Sequence, residues 1–176
     1  MTTPLIPALR AAGAALAAML AAALALSACT TLLRQPPPPG APLDQVTAQL
    51  GQPNAVYPDP AGGQVLEYRG QPMGQFQHMA RIGSDGRLVS FEQVLTSENF
   101  GKVKVDRWTK DDILRNFGRP AEVSRVHFHD YEVWSYRYKE AGVWNSMMNV
   151  HFDAQGVVRQ MLNGPDPLYD DRFRHR

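Results

Sequence analysis

Apolar positions after residue 42 recur at two spacings, with short runs at helical period alternating with stretches in which apolar and polar residues take turns. Ile113, Leu114 and Phe117 form one helical face. Thr109 precedes them as N-cap, Asp112 completes a capping-box pattern three residues on, and Trp108 is placed to staple onto Ile113. Gly118 at C′ and Pro120 beyond it stop the helix, because glycine takes up left-handed backbone without a steric cost and proline cannot extend a helix. The same punctuation occurs 67 residues earlier: Val46, Thr47 and Leu50 occupy the equivalent positions, Pro42 lies near the start, and Gly51 and Pro53 lie at the end. This first helix lacks a capping box.

The correspondence extends into the alternating stretches. Val65 to Arg69 matches Val133 to Arg137 at an offset of 68, and the segment from Ile82 matches that from Phe152 at an offset of 70. Asp85-Gly86 and Gln155-Gly156 mark hairpin turns in the two segments. Phe76, His78, Ala80 and Ile82 share one strand face, as do Ser146, Met148, Val150 and Phe152. The pattern predicts an α+β fold of two tandem helix-plus-antiparallel-sheet repeats. Residues 42–94 form a degenerate first repeat, 95–164 the second, and 165–176 a charged tail.

The beginning of the chain obeys a different pattern. Ala11 to Leu26 is almost pure Ala, Leu, Met and Gly, and Arg10 is the only charge in the first 28 residues, which is the composition of a secretory signal peptide. Leu26-Ser27-Ala28-Cys29 follows, placing small residues before the only cysteine of the 176-residue chain, and it resembles the lipobox of bacterial lipoproteins. That resemblance implies cleavage before Cys29, its acylation (palmitate among the acyl groups), and, with Thr30 next, sorting to the outer membrane facing the periplasm. With a single cysteine no internal disulfide can form. Residues 29–41 end in Pro36-Pro37-Pro38-Pro39-Gly40, a run that favours polyproline II and reads as a tether between lipid and fold.

Charge narrows the partners. Of 18 basic residues the leader removes Arg10, leaving 17 against 17 acidic. Such a balance gives no basic footprint for nucleic acid and no polybasic support for membrane binding. Attachment to the membrane therefore falls to the lipid.

The stretch Leu95 to Val105, then Trp108-Thr109-Lys110-Asp111-Asp112-Ile113, then Phe117-Gly118-Arg119-Pro120, resembles the SmpA/OmlA (BamE) lipoproteins of the outer-membrane β-barrel assembly machinery. The resemblance covers residues 95 to 162 and implies a short first helix, a second helix, a three-stranded antiparallel sheet, and a role in assembling or stabilising outer-membrane β-barrel proteins. Arg107-Trp108-Thr109 stands where that family usually has Gly-Met-Thr. Tandem units of this kind also resemble the secreted β-lactamase-inhibitor-protein fold, which implies the rival role of an inhibitor or sensor that grips another envelope protein.

Sequence motifs for catalysis are lacking: there is no Gly-x-Ser-x-Gly elbow, His-Glu-x-x-His helix, Cys-x-x-Cys pair or phosphate loop. No cofactor or metal is expected. His127-Phe128-His129-Asp130 is the nearest approach to a metal site, and a metal-binding or hydrolytic envelope protein using it is the rival from a different class. His78 sits among apolar neighbours and reads as a half-buried, hydrogen-bonded histidine. Asp111 and Asp112 suit a helix N-terminus electrostatically. Trp134, Tyr136 and Tyr138 alternate onto one strand face, with Trp144, Met147 and Met148 near the start of the next strand. Trp134, Tyr136, Tyr138, Trp144 and Met147 are the candidate partner-binding residues, since Trp, Tyr and Met are enriched at interfaces, although one of the two faces must cover the helices. The sequence thus describes a non-catalytic outer-membrane lipoprotein acting as a protein-interaction module.

Overall fold

Local chemistry sets the helices and hydrophobic alternation sets the strands. In the computed structural model, which describes residues 36–127 and 130–170, the elements run in the following order. Helix α1 is Leu43–Leu50, followed by β1 (Ala55–Pro58), β2 (Gln64–Arg69), β3 (Gln77–Ile82) and β4 (Leu88–Gln93). Next come α2 (Ser97–Phe100), α3 (Lys110–Phe117), β5 (Glu122–Val126), β6 (Tyr131–Glu140), β7 (Trp144–Phe152) and β8 (Val158–Pro165). The strands form two four-stranded antiparallel meanders, β1-β2-β3-β4 and β5-β6-β7-β8. Cys29 and the leader lie outside the described residues.

This architecture corrects the expected fold class. Among the described residues the fold is mostly β, built on two four-stranded sheets, and the helices there have only eight, four and eight residues, unlike a helix-plus-sheet repeat fold. The resemblance implied three strands in the second sheet. The fourth, β5, is exposed along its whole length and so carries no alternating burial to mark it. In the first sheet β1 does alternate in burial, but it is only four residues long and ends in Pro58, which leaves a short strand signal.

The helix stops expected at Gly51 and Gly118 are present, with a different backbone geometry. Gly118 has φ 70° and ψ −162°, and Gly51 φ 88° and ψ −174°. Both have positive φ, but they lie in the extended region that only glycine occupies readily, not in the left-handed helical well. The capping box of α3 forms in full: Thr109 Oγ1 accepts from the Asp112 N–H, and the Asp112 carboxylate accepts from the Thr109 N–H at 2.8 Å. Trp108 packs against the cluster containing Ile113, with its ring 6.4 Å from that of Phe117. Helix α1 has Pro42 at its N-cap and no side-chain cap.

Burial divides the core into two clusters. Val46 of α1 meets Leu66, Ala80, Ile82 and Leu88 on the outer face of the first sheet. The inner face of that sheet contributes Val65 and Met79 to the larger cluster, which also holds Phe100, Ile113 and Phe117 and, from the second sheet, Trp134, Tyr136, Val150 and Phe152. Helices α2 and α3 thus lie between the sheets, and the first sheet is buried on both faces.

A set of hydrogen bonds joins the sheets at Phe117-Gly118-Arg119-Pro120. Gln77 Nε2 donates to the Phe117 carbonyl (2.5 Å), Tyr136 Oη to that of Gly118 (2.9 Å), and Arg69 Nη2 to that of Pro120 (2.8 Å). The Arg119 N–H donates to Glu67 Oε2, which also accepts from Tyr57 Oη at 2.5 Å. Burial, followed by the neighbouring Glu67, raises the Tyr57 hydroxyl above the ordinary tyrosine range, so it stays protonated as the donor. Every peptide unit of this turn is therefore read by a side chain from a distant strand. The matching turn at Gly51 has a single such bond, from Tyr68 Oη at 3.3 Å.

The edges of the fold extend past the boundaries drawn from sequence. Pro37 is buried and the Gly40 N–H donates to the Leu88 carbonyl, so the end of the proline run is docked on β4. At the other end β8 reaches Pro165, and the fully buried Asp166 pairs with Arg137, so the first residues of the expected tail belong to the core.

Candidate functional site

The aromatic face of the second sheet begins as core and ends as surface. Trp134, Tyr136 and Tyr138 on β6 point towards α2 and α3 and are 8%, 0% and 0% exposed. Each polar tip is spent internally: Trp134 Nε1 donates to Glu132 (2.7 Å), Tyr136 Oη to Gly118, and Tyr138 Oη to Asn163 (3.1 Å). Lys110 closes that end, paired with Glu132 at 2.8 Å and sitting 5.7 Å from the centres of the Trp134 and Phe152 rings. Trp134 and Tyr136 are therefore core residues and not a partner surface. Met147, also expected there, is 7% exposed and lies opposite Arg137, on the other face of the sheet.

Beyond Tyr138 the helices no longer cover the sheet. A groove of about 310 Å³ opens there, with Phe100, Tyr138, Met148 and Met161 as its apolar walls and Ser97, Glu140 and Asn163 around them. The Glu140 carboxylate accepts from Ser146 Oγ at 2.7 Å, and that bond, with a second from Asn163, holds it below the usual carboxylate range, so a negative charge persists at the mouth. Trp144 lies directly opposite Glu140 in the β6–β7 register and hence on the same face. It is 68% exposed, and Val143 before it is 66% exposed. Of the five residues expected to meet a partner, the structure thus leaves Trp144 exposed at this site, while Tyr138 lines the groove from beneath as a fully buried core residue.

Phe100, Met161, Glu140 and Asn163 were missed by sequence reasoning. The local signal that could have found the rim is Ala141-Gly142-Val143-Trp144, where large apolar residues follow a turn with no core to enter. Ala141 and Gly142 both have positive φ, and the turn they form ends the sheet face at Trp144.

The remaining candidate chemistry is dispersed. His127 is exposed, His129 lies outside the described residues, and Asp130 pairs with Arg125 at 2.6 Å. Among the described residues no group of three or more His, Cys, Asp or Glu side chains converges as a metal site would require. His78 is half-buried as expected, but it stacks on Phe91 (5.1 Å between centres, 10° between planes) where a hydrogen bond was anticipated, and burial lowers its pKa. Burial opposes the charge on Asp112, yet the Thr109 backbone and hydroxyl, with Arg115 at 2.5 Å, hold it below its ordinary value as an N-terminal cap.

Comparisons place few constraints on the chain. No family model matches it, and no curated protein matches it. Among solved structures it is similar to a DUF4309 family protein (YjgB) from Bacillus subtilis subsp. subtilis str. 168, at 15% identity and a TM-score of 0.31 over 70% of this chain and 77% of that one. Among the described residues no helix is long and apolar enough to cross a membrane.

Proposed function

We propose that this chain is a lipid-anchored envelope protein that acts without catalysis, holding a protein partner in the groove between Phe100 and Trp144. The observation that carries this reading is the exposed Val143-Trp144 rim beside an apolar groove whose mouth bears the Glu140 charge. Trp and Met supply contact area at interfaces, and the site offers the exposed Trp144 beside a groove lined by the half-buried Met161. The lipobox sequence at Leu26 to Cys29 supports placement at the outer membrane facing the periplasm. An outer-membrane β-barrel protein, or a component of its assembly machinery, is the partner class that the sequence resemblance implies. An inhibitor or sensor that grips another envelope protein would use the same groove.

Co-purification from detergent-solubilised envelope tests this. The parent chain should retain a discrete partner that Trp144→Ala and Met161→Glu both lose, while Val123→Ala, at a similarly exposed apolar position on β5, keeps it. Loss in none of the variants, or equal loss in all three, would remove the groove from the account. The partner's identity separates the assembly role from the inhibitor role.

A further inference from the structure

The loop joining β2 to β3 carries an apolar tip that belongs neither to the core clusters nor to the groove. Met73 is 69% exposed and Phe76 49%, and Leu168 and Tyr169, each 39% exposed, follow the end of β8. Tyr169 Oη donates to the Met73 carbonyl at 3.0 Å, which joins the two segments into one projection. The loop is braced on the second sheet by Gln71, buried at its base. Gln71 Nε2 donates to the carbonyls of Arg137 on β6 (2.8 Å) and Gly74 (2.9 Å), and Oε1 accepts from the Arg137 N–H at 3.3 Å. The Gly74 N–H donates to the Gly70 carbonyl at 2.8 Å, and the Phe76 ring lies so close to both glycines that a Cβ would come within 2.6 Å of it at Gly70 and 2.9 Å at Gly74.

Charge is absent from this tip. No charged residue occurs between Gly70 and Phe76 or between Pro167 and Tyr169, and Asp166 behind them is buried and paired with Arg137. The groove beside Trp144 is a different kind of surface, a recess with the Glu140 carboxylate at its mouth to orient a protein. An uncharged projection has no such device for selecting a protein. Met, Phe and Leu are side chains that enter the acyl boundary of a bilayer, and Tyr is enriched at headgroup level.

We propose that this tip rests in the membrane surface to which the lipid holds the chain, an inference that depends on the anchor at Cys29 in the functional reading above. The reach is sufficient. Gly40 docks at Leu88, and β4 runs from there to Gln93, which pairs with His78 two residues beyond Phe76, a rise of about 17 Å. Residues 29–35 span roughly 22 Å when extended, so the anchor allows the tip to meet the bilayer. With 17 basic and 17 acidic residues after the leader, the contact comes from apolar burial and does not call for anionic lipid.

The full chain, acylated in cells and reconstituted into vesicles, tests this. Cys29 is the only cysteine and its thiol would carry lipid, so Met73→Cys or Val105→Cys adds a single thiol for an environment-sensitive fluorophore. Val105 is 42% exposed and precedes Asp106, whose N–H donates to Val158 at the opposite end of β8 from Tyr169. Flotation reports attachment, and quenching by a lipid with a doxyl group on its acyl chain reports contact with the bilayer. At Met73 the fluorophore should shift to the blue and be quenched, equally in phosphatidylcholine vesicles and in vesicles that also contain phosphatidylglycerol, and at Val105 it should stay in water. A fluorophore at Leu168→Cys should behave like that at Met73 and lose most of its quenching when Met73→Asp charges the tip. A floating chain with the Met73 fluorophore in water, equal quenching at Val105, quenching that requires phosphatidylglycerol, or quenching at Leu168 unchanged by Met73→Asp would overturn the proposal and leave the anchor standing. A chain that does not float would remove the anchor and the proposal together.

Discussion

Gly118 and Gly51 occupy like positions in the sequence but unlike surroundings in the fold. Both need a backbone that disfavours a side chain. A Cβ on Gly118 would also come within 2.0 Å of Gln77 Nε2 and 2.8 Å of Glu67 Cδ, whereas a Cβ on Gly51 would meet nothing within 4 Å. Gly118→Ala should therefore cost about 3 kcal/mol or more and Gly51→Ala about 1–2. Arg119→Ala should stay near about 0.5, because it leaves the backbone N–H on Glu67 intact. Denaturant melts rank the three, and equal shifts at the two glycines would show that the Glu67 and Gln77 contacts do not constrain the turn. Histidine supplies a second residue-scale test. Burial disfavours the imidazolium of His78 and His151, lowering both from the ordinary 6.5. As pH falls through that value the unfolded chain takes up protons that the native one resists, so native stability is full above it and declines below. Urea melts between about pH 8 and about pH 5.5 should show that decline, and His78→Phe, which keeps the stacking on Phe91, should flatten it. A slope in the variant equal to the parent's would contradict the assignment.

At the scale of elements, what could be read from sequence was what is made locally. Helix α3 was legible because its capping box, its three apolar positions and its glycine stop all lie within ten residues of one another. The hairpins at Asp85-Gly86 and Gln155-Gly156 were legible for the same reason, and both glycines have the positive φ such turns require. The balance between sheet and helix was not legible, because α1 and α3 are only eight residues long and their shared Gly-x-Pro stops gave them more prominence than their length. Nor was the joint between the sheets, since Gln77 reaches Phe117 across forty positions and Glu67 reaches Arg119 across fifty-two. The candidate site was half legible for a related reason. Strand alternation placed Trp134, Tyr136, Tyr138 and Trp144 relative to the sheet, but where the helices stop covering them depends on tertiary packing. The joint makes its own prediction: Tyr136→Phe deletes only the hydroxyl and leaves the buried Gly118 carbonyl without its donor, so it should cost about 1–3 kcal/mol. A loss near zero in thermal or denaturant melts would mean that the bond contributes little to holding the sheets together.

At the scale of the whole molecule, the proposal couples an anchor to a binding surface. If Cys29 is acylated, Cys29→Ser should abolish fatty-acid labelling and release the chain from the membrane fraction, and labelling that persists in the variant would contradict the lipobox reading. The docked proline run shortens the expected tether: residues 29–35 separate Cys29 from the first described residue, and at about 3.1 Å each they would span roughly 22 Å if extended. The fold would then be held close to the bilayer, with its partner meeting it near the membrane surface. The most direct test of the central claim is site-specific photo-crosslinking in intact cells, with a photoreactive residue placed in turn at Trp144, Met161 and Val123. The account predicts one discrete protein adduct shared by Trp144 and Met161 and absent at Val123. No adduct at the two groove positions, or the same adduct at all three, would contradict it.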